Sequence, residues 1–232
     1  MAITEEDLQA EHEKRLARLR AVVVEVQLPR GTLPKHAYWG RCYRNTAVLR
    51  LKGLERGIAA CLRDNEPVSA VILARQFVET AAHFIATTLY IEKQLRKSPP
   101  DWERVDERIG SALFGTKLPG AEAFTAEQVL NCIDDCDAHI RKMMPEVAER
   151  EPRPVRSAYE MDSEFTHPNG FAFQYYMDVQ GKDTATTVVR FGDHANKLAH
   201  TIGPRVRRAL IIIDILLLRE REFASALAKR AA

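Results

Sequence analysis

The run Tyr159-Glu160-Met161-Asp162-Ser163-Glu164-Phe165-Thr166-His167-Pro168-Asn169-Gly170 gathers a hydroxyl, acids and an imidazole just before a helix-breaking Pro-Asn-Gly. Tyr159, Ser163 and His167 are spaced i, i+4 and i+8, one slowly turning line on a helix, with Glu160 and Glu164 beside it. An imidazole with a near-neutral pKa and an orienting hydroxyl or carboxylate can act as acid or base. The plainer alternative is that His167 caps the helix, its cation meeting the negative end of the dipole. Pro168 disfavours helical geometry at His167, and Asn169-Gly170 can turn the chain away.

A second polar line lies upstream. Arg75, Glu79 and His83 are also spaced i, i+4 and i+8, among Val71, Ile72, Val78, Ala82 and Ile85. Charges bordering an apolar surface must be solvated or paired. The line is either an intrahelical Arg-Glu pair at a solvent edge, contributing about 0.3–0.5 kcal/mol, or one wall of a pocket. In the second case Arg75 holds an anion, Glu79 orients Arg75 or His167, and His167 donates to the ligand or acts as a weak acid or base. The two lines are then expected to meet in space.

Arg75-x-x-x-Glu79 on an apolar helix, with Ser163-x-x-x-His167-Pro168-Asn169 some 80 residues later, resembles an uncharacterised group of bacterial helical proteins. That group is similar to the HEPN superfamily. The resemblance covers about residues 40–225, and its specific part is these few positions. It implies an α-helical fold with nucleotide or nucleic-acid chemistry. Many members of the superfamily are RNases with an arginine, four to six residues, then a histidine. Here ten residues separate Arg156 from His167 and three separate Arg190 from His194, so a nuclease screen is expected to be negative.

Other groupings are weaker. Cys132, Cys136 and His139 share a helix face and are soft ligands, but no fourth ligand completes a zinc set. Small buried helix residues are the alternative. Glu164-x-x-His167 matches one half of a di-iron motif, and Glu79 and His83 are one residue too far apart to supply the other. No metal or cofactor is therefore expected. Lys197, His200, Arg205, Arg207 and Arg208 form a basic patch that could touch phosphate or simply be solvated. Asp214, inside Ala209–Leu218, needs a partner if that helix is buried.

The elements that must position these residues follow from periodicity. The 232 residues are 46% hydrophobic and 28% charged, enough for a packed core. A formal charge of +2 gives no strong field for nucleic acid or membrane. The first residues lack an apolar signal core, and Ala209–Leu218 is too short to span a bilayer. Four cysteines do not make a disulfide scaffold. A reducing cytoplasm and no membrane partner are expected.

The fold class expected is mainly α: a single-domain helical bundle of six or seven helices, with one β-hairpin before the C-terminal helix. Residues 1–34 form an N-terminal helix to about Gln27 and a linker. Residues 35–145 form a helical core: about 35–63, with Gly53 and Gly57 weakening it or permitting close packing; 67 to about 97; a short helix 101–109 stopped by Gly110; and one from a Thr125 capping box to about Met144. Prolines 145, 152 and 154 mark a connector. Residues 155–191 hold the Ser-His turn and the hairpin, where Phe171, Phe173 and Tyr175 alternate, as do Ala185, Thr187, Val189 and Phe191. Residues 192–232 form a long helix kinked at Gly203-Pro204. Its apolar excess points to a homodimer anchored by Leu210, Ile213, Leu217 and Phe223.

The function expected is binding of a small polar or phosphorylated ligand, or a nucleic-acid end, at Arg75, Glu79, His83, Tyr159, Ser163, Glu164, His167 and Asn169. The alternatives are a non-enzymatic dimeric interaction module with a structural polar core, and a metal-dependent hydrolase or oxidase.

Overall fold

The computed structural model describes residues 5–25, 34–115, 128–166, 177–180, 188–191 and 212–228. The chain is mainly α-helical. The described helices are α1 (Glu5–Ala21), α2 (Lys35–Arg63), α3 (Pro67–Leu95), α4 (Trp102–Phe114), α5 (Val129–Met143), α6 (Pro145–Arg150), α7 (Pro154–Thr166) and α8 (Ile212–Ala228).

The centre is α3, which packs against α2, α4, α5, α7 and α8. Every residue from Ala81 to Thr88 except His83 is buried. Ala70, Ala74, Ala81, Ala82 and Ala86 give this helix a narrow profile, so neighbours can approach from several sides. Its length and apolar composition would allow it to cross a bilayer, and its packing against five helices accounts for the same apolar surface. Tyr43 of α2 stacks on Phe84 of α3 with centroids 5.6 Å apart, and Phe223 of α8 meets both edge-on. Leu16 and Leu19 bring α1 onto the same core.

Local chemistry sets the helix ends. Asn65 adopts φ 60°, and Glu66 N–H reaches back to the Cys61 carbonyl at 2.7 Å, closing α2 before Pro67 opens α3. Asp101 caps α4 by accepting from Arg104 N–H. Lys52 Nζ donates to the Arg20 and Val22 carbonyls, closing α1. Asp137 on α5 caps α7 from a distance, with Val155 N–H 2.9 Å from Oδ1 and Arg156 N–H 3.0 Å from Oδ2.

Several expected boundaries are corrected. The first helix stops at Ala21, where Lys52 takes the last carbonyls, not near Gln27. Gly110 does not stop α4; it lies inside the helix and is buried. The proline connector contains α6, because Pro145 sits in the first turn, where a missing N–H costs nothing. Eight helices among the described residues thus replace the six or seven expected. Of the two glycines in α2, only Gly57 serves close packing: a Cβ there would lie 2.9 Å from Leu73 Cδ1, whereas Gly53 has nothing within 4 Å.

Strand β1 (Met177–Gln180) pairs antiparallel with β2 (Val188–Phe191), Met177 opposite Phe191 and Gln180 opposite Val188. The first strand lies beyond Phe171, Phe173 and Tyr175. Those residues, the connection at 181–187, the capping box at Thr125 and the expected kink at Gly203-Pro204 all lie outside the described residues.

The expected dimer anchors are corrected in part. Ile213 and Phe223 are buried inside this chain, and Leu216 with them, because α8 packs on α1, α2 and α3. Leu217 is half-buried, Leu218 is exposed, and Leu210 lies outside the described residues.

Candidate functional site

The polar residues of α3 divide between two neighbours. A helix turns about 100° per residue, so positions i and i+8 differ by roughly 80°. Arg75 accordingly meets α7 while His83 meets α2.

Arg75 links α3 to α7. Its Nη1 donates to Thr166 Oγ1 at 2.7 Å and its Nη2 to the Tyr159 hydroxyl at 2.9 Å. The guanidinium also lies over the Tyr159 ring, 4.9 Å from the centroid. Glu79 Oε1 is 3.3 Å from Arg75 Nε, close enough for an ion pair. The geometry is not that of a hydrogen bond, so the buried Nε–H stays unbonded. Thr166 in turn donates to the Ser163 carbonyl, and the Ser163 hydroxyl donates to the Tyr159 carbonyl.

The two polar lines therefore meet, but through Tyr159 and Thr166. Ser163 spends its hydroxyl on its own helix, as serine inside a helix often does. Glu164 is exposed. His167 and Asn169 lie outside the described residues, as does the basic patch at Lys197, His200, Arg205, Arg207 and Arg208. The side chain of Asp214 is likewise outside the described set.

On the α2 side, α2, α3 and α4 border an open cavity of about 330 Å³ lined by Tyr43, the exposed Arg50, Glu79, Thr80, His83 and Ser111, among others. The Tyr43 hydroxyl is 2.9 Å from His83 Nδ1. Arg50 Nε donates to Thr80 Oγ1 at 3.0 Å and Nη2 to Gln76 Oε1 at 3.0 Å. Gln76 passes its own amide hydrogen to Glu79 Oε2 at 2.8 Å. Arg50 is thus held by two neutral acceptors, and among the described residues no carboxylate pairs with it. Glu79 joins the two halves, with one oxygen toward Arg75 and the other toward Gln76.

Such a cavity can take an anion. The guanidinium fork is oriented in advance, keeps its charge and suits a phosphate or carboxylate. The sequence reading missed Arg50, Tyr43, Gln76, Thr80 and Thr166. A signal existed for some of them: Tyr43, Thr46 and Arg50 fall at i, i+3 and i+7 on α2, and Tyr159 and Thr166 are seven apart on α7.

The other groupings resolve as follows. Cys132 and Cys136 are buried, and Cys136 Sγ–H points at the Ala82 carbonyl, 3.5 Å away. Burial pushes the Cys136 thiol well above the usual range, so it stays protonated. His139 faces α8, where Arg219 Nη2 lies 2.8 Å from its Nε2. A guanidinium has no acceptor, so Nε2 carries the lone pair and the ring is neutral. Burial and then the Arg219 charge hold the His139 pKa below the ordinary imidazole value. Among the described residues no group of three or more His, Cys, Asp or Glu side chains is placed to hold a metal.

No family model matches the chain, and no curated protein or solved structure matches it either.

Proposed function

We propose that this is a HEPN-like helical protein that binds a small phosphorylated ligand or a phosphorylated nucleic-acid end in the cavity between α2, α3 and α4. The observation that carries the reading is Arg50, a guanidinium oriented by Thr80 and Gln76 with no carboxylate partner among the described residues, at a cavity of about 330 Å³. In this reading Arg50 takes the anion, Tyr43 and His83 supply hydroxyl and imidazole contacts around it, and Thr80, whose proton goes to the Gln76 carbonyl, only orients Arg50. Glu79 sets the limit on negative charge from the far side and holds Arg75. The departure from the arginine-to-histidine spacing of the RNase members favours binding without cleavage. Four free cysteines suit a reducing cytoplasm.

Isothermal titration calorimetry with inorganic phosphate, AMP and a short 5′-phosphorylated RNA tests the reading. At least one probe should bind the wild type and lose about tenfold in affinity with Arg50→Gln, the loss expected for one charge-assisted contact. Equal binding by the variant, or no binding of any probe, overturns it.

One observation favours a second reading. Arg75 gives both terminal nitrogens to Tyr159 and Thr166 and pairs with Glu79, which suits a non-enzymatic module whose polar centre fastens α7 to the core. Half-buried Leu217 and exposed Leu218 on α8 are then the described part of a homodimer surface. Light scattering that finds only monomer at high concentration excludes that assembly.

A further inference from the structure

A second cavity, of about 290 Å³, lies where α3, α5 and α8 come together. Its lining includes Lys93 and Arg96 at the end of α3, His139 and Lys142 of α5, and Arg219 of α8, with Glu92 beside them. Glu222 also reaches Arg219. Four permanent cations thus face two carboxylates.

The carboxylates are already committed. Arg219 Nη1 donates to both oxygens of Glu92, at 2.8 and 3.0 Å, and to Glu222 at 2.6 Å. Arg96 rests 3.7 Å from Glu92. Lys93 and Lys142 are exposed and have no partner among the described residues. A lysine in the last turn of a helix offsets the dipole wherever it points, which alone would account for each of them singly. It does not account for the two converging on one cavity with Arg219 at its wall. Arg219 is 6% exposed, and its Nε is buried without a hydrogen bond. A buried guanidinium donor lacking an acceptor is costly unless something supplies one.

We infer that this cavity is a second anion site, independent of the one at Arg50, that takes the phosphate of a small phosphomonoester. Lys93 and Lys142 meet the phosphate oxygens. Arg219 neutralises Glu92 and Glu222 at the inner end, so that the positive charge of the lysines is not offset by free carboxylates. Half-buried Leu89 and exposed Met143 form an apolar flank against which the body of the ligand lies. Two ammonium groups make point-charge contacts that tolerate many ligand geometries, unlike the forked contact at Arg50. Specificity therefore comes from the apolar flank.

The test uses full-length protein carrying Arg50→Gln, which weakens the first cavity about tenfold, so that the binding removed by further changes at Lys93 and Lys142 belongs to the second cavity. Titration calorimetry with AMP is expected to give a dissociation constant of about 1 mM or tighter at low salt, weakening as salt is added. Adding Lys93→Gln and Lys142→Gln should weaken it by about tenfold or more. Both side chains are exposed and unpaired, so the thermal midpoint should fall by no more than the small helix-dipole contribution of each lysine, and circular dichroism checks this. AMP binding more tightly than inorganic phosphate supports a phosphomonoester; equal binding supports a site for the free ion. No heat with either probe, or full binding by the lysine variants, overturns the inference. Loss of binding with Arg50→Gln alone, with none remaining for the lysines to remove, overturns it too and leaves the first site standing.

Discussion

Replacing Arg75 with methionine separates a fastening role from a ligand-holding one. Methionine keeps most of the apolar stem and removes the charge. Two hydrogen bonds from a charged donor are lost, to Thr166 and Tyr159. Such bonds contribute about 1.5–3 kcal/mol each, and partial exposure of Arg75 puts them at the lower end. The pair with Glu79 adds about 0.5 kcal/mol and the cation–π contact about 0.5–1 kcal/mol. Against this, the variant no longer buries the unbonded Nε–H, which offsets about 1 kcal/mol. The net loss is about 3 kcal/mol, or about 6–12 °C in thermal midpoint for a chain of this size. A double-mutant cycle with Tyr159→Phe should return a coupling of about 1–2 kcal/mol, since the two groups touch. Denaturant unfolding with calorimetry measures both quantities. A midpoint within about 2 °C of wild type and a coupling near zero would show that Arg75 does not fasten α7. If the same variant also loses phosphate or AMP binding, the anion belongs to Arg75 rather than Arg50.

Asp137→Ala leaves two N–H groups of α7 without their acceptor and should cost about 1–2 kcal/mol, read as faster hydrogen exchange at Val155 and Arg156. Burial raises the Asp137 pKa above the ordinary carboxylate value against these two bonds, so the folded state takes up a proton before the unfolded state does. The wild type's advantage over this variant should therefore grow as pH falls from neutral toward that ordinary value, and level off below it. His139 has the opposite linkage. Its lowered folded pKa means the folded state binds fewer protons in the window just below the ordinary imidazole value. Wild type should lose stability relative to His139→Gln as pH falls through that window; parallel pH profiles would refute the neutral ring facing Arg219.

Periodicity and punctuation made much of the helical architecture legible. Pro34, Pro67 and Asp101 mark helix starts because each fixes φ or supplies a cap, and the apolar period of α3 marks it as a core helix. The same local rules failed at Gly110 and Pro145. Packing carried α4 through a glycine that propensity would have made a stop, and a proline read as a break opened a short helix.

The sequence by itself determined which side chains of α3 are polar and that Arg75, Glu79 and His83 share one side of it. It could not determine what they face. A line spaced every four residues turns by about 40° at each step, and only the placement of α2 and α7 sends Arg75 to Tyr159 and His83 to Tyr43. The cavities have the same origin. Arg50 lies 30 residues from Thr80 along the chain, and Arg219 lies 127 from Glu92 and 80 from His139. Contacts over such separations leave no trace in local spacing, because they depend on which helix faces pack together, and the burial of whole apolar surfaces decides that.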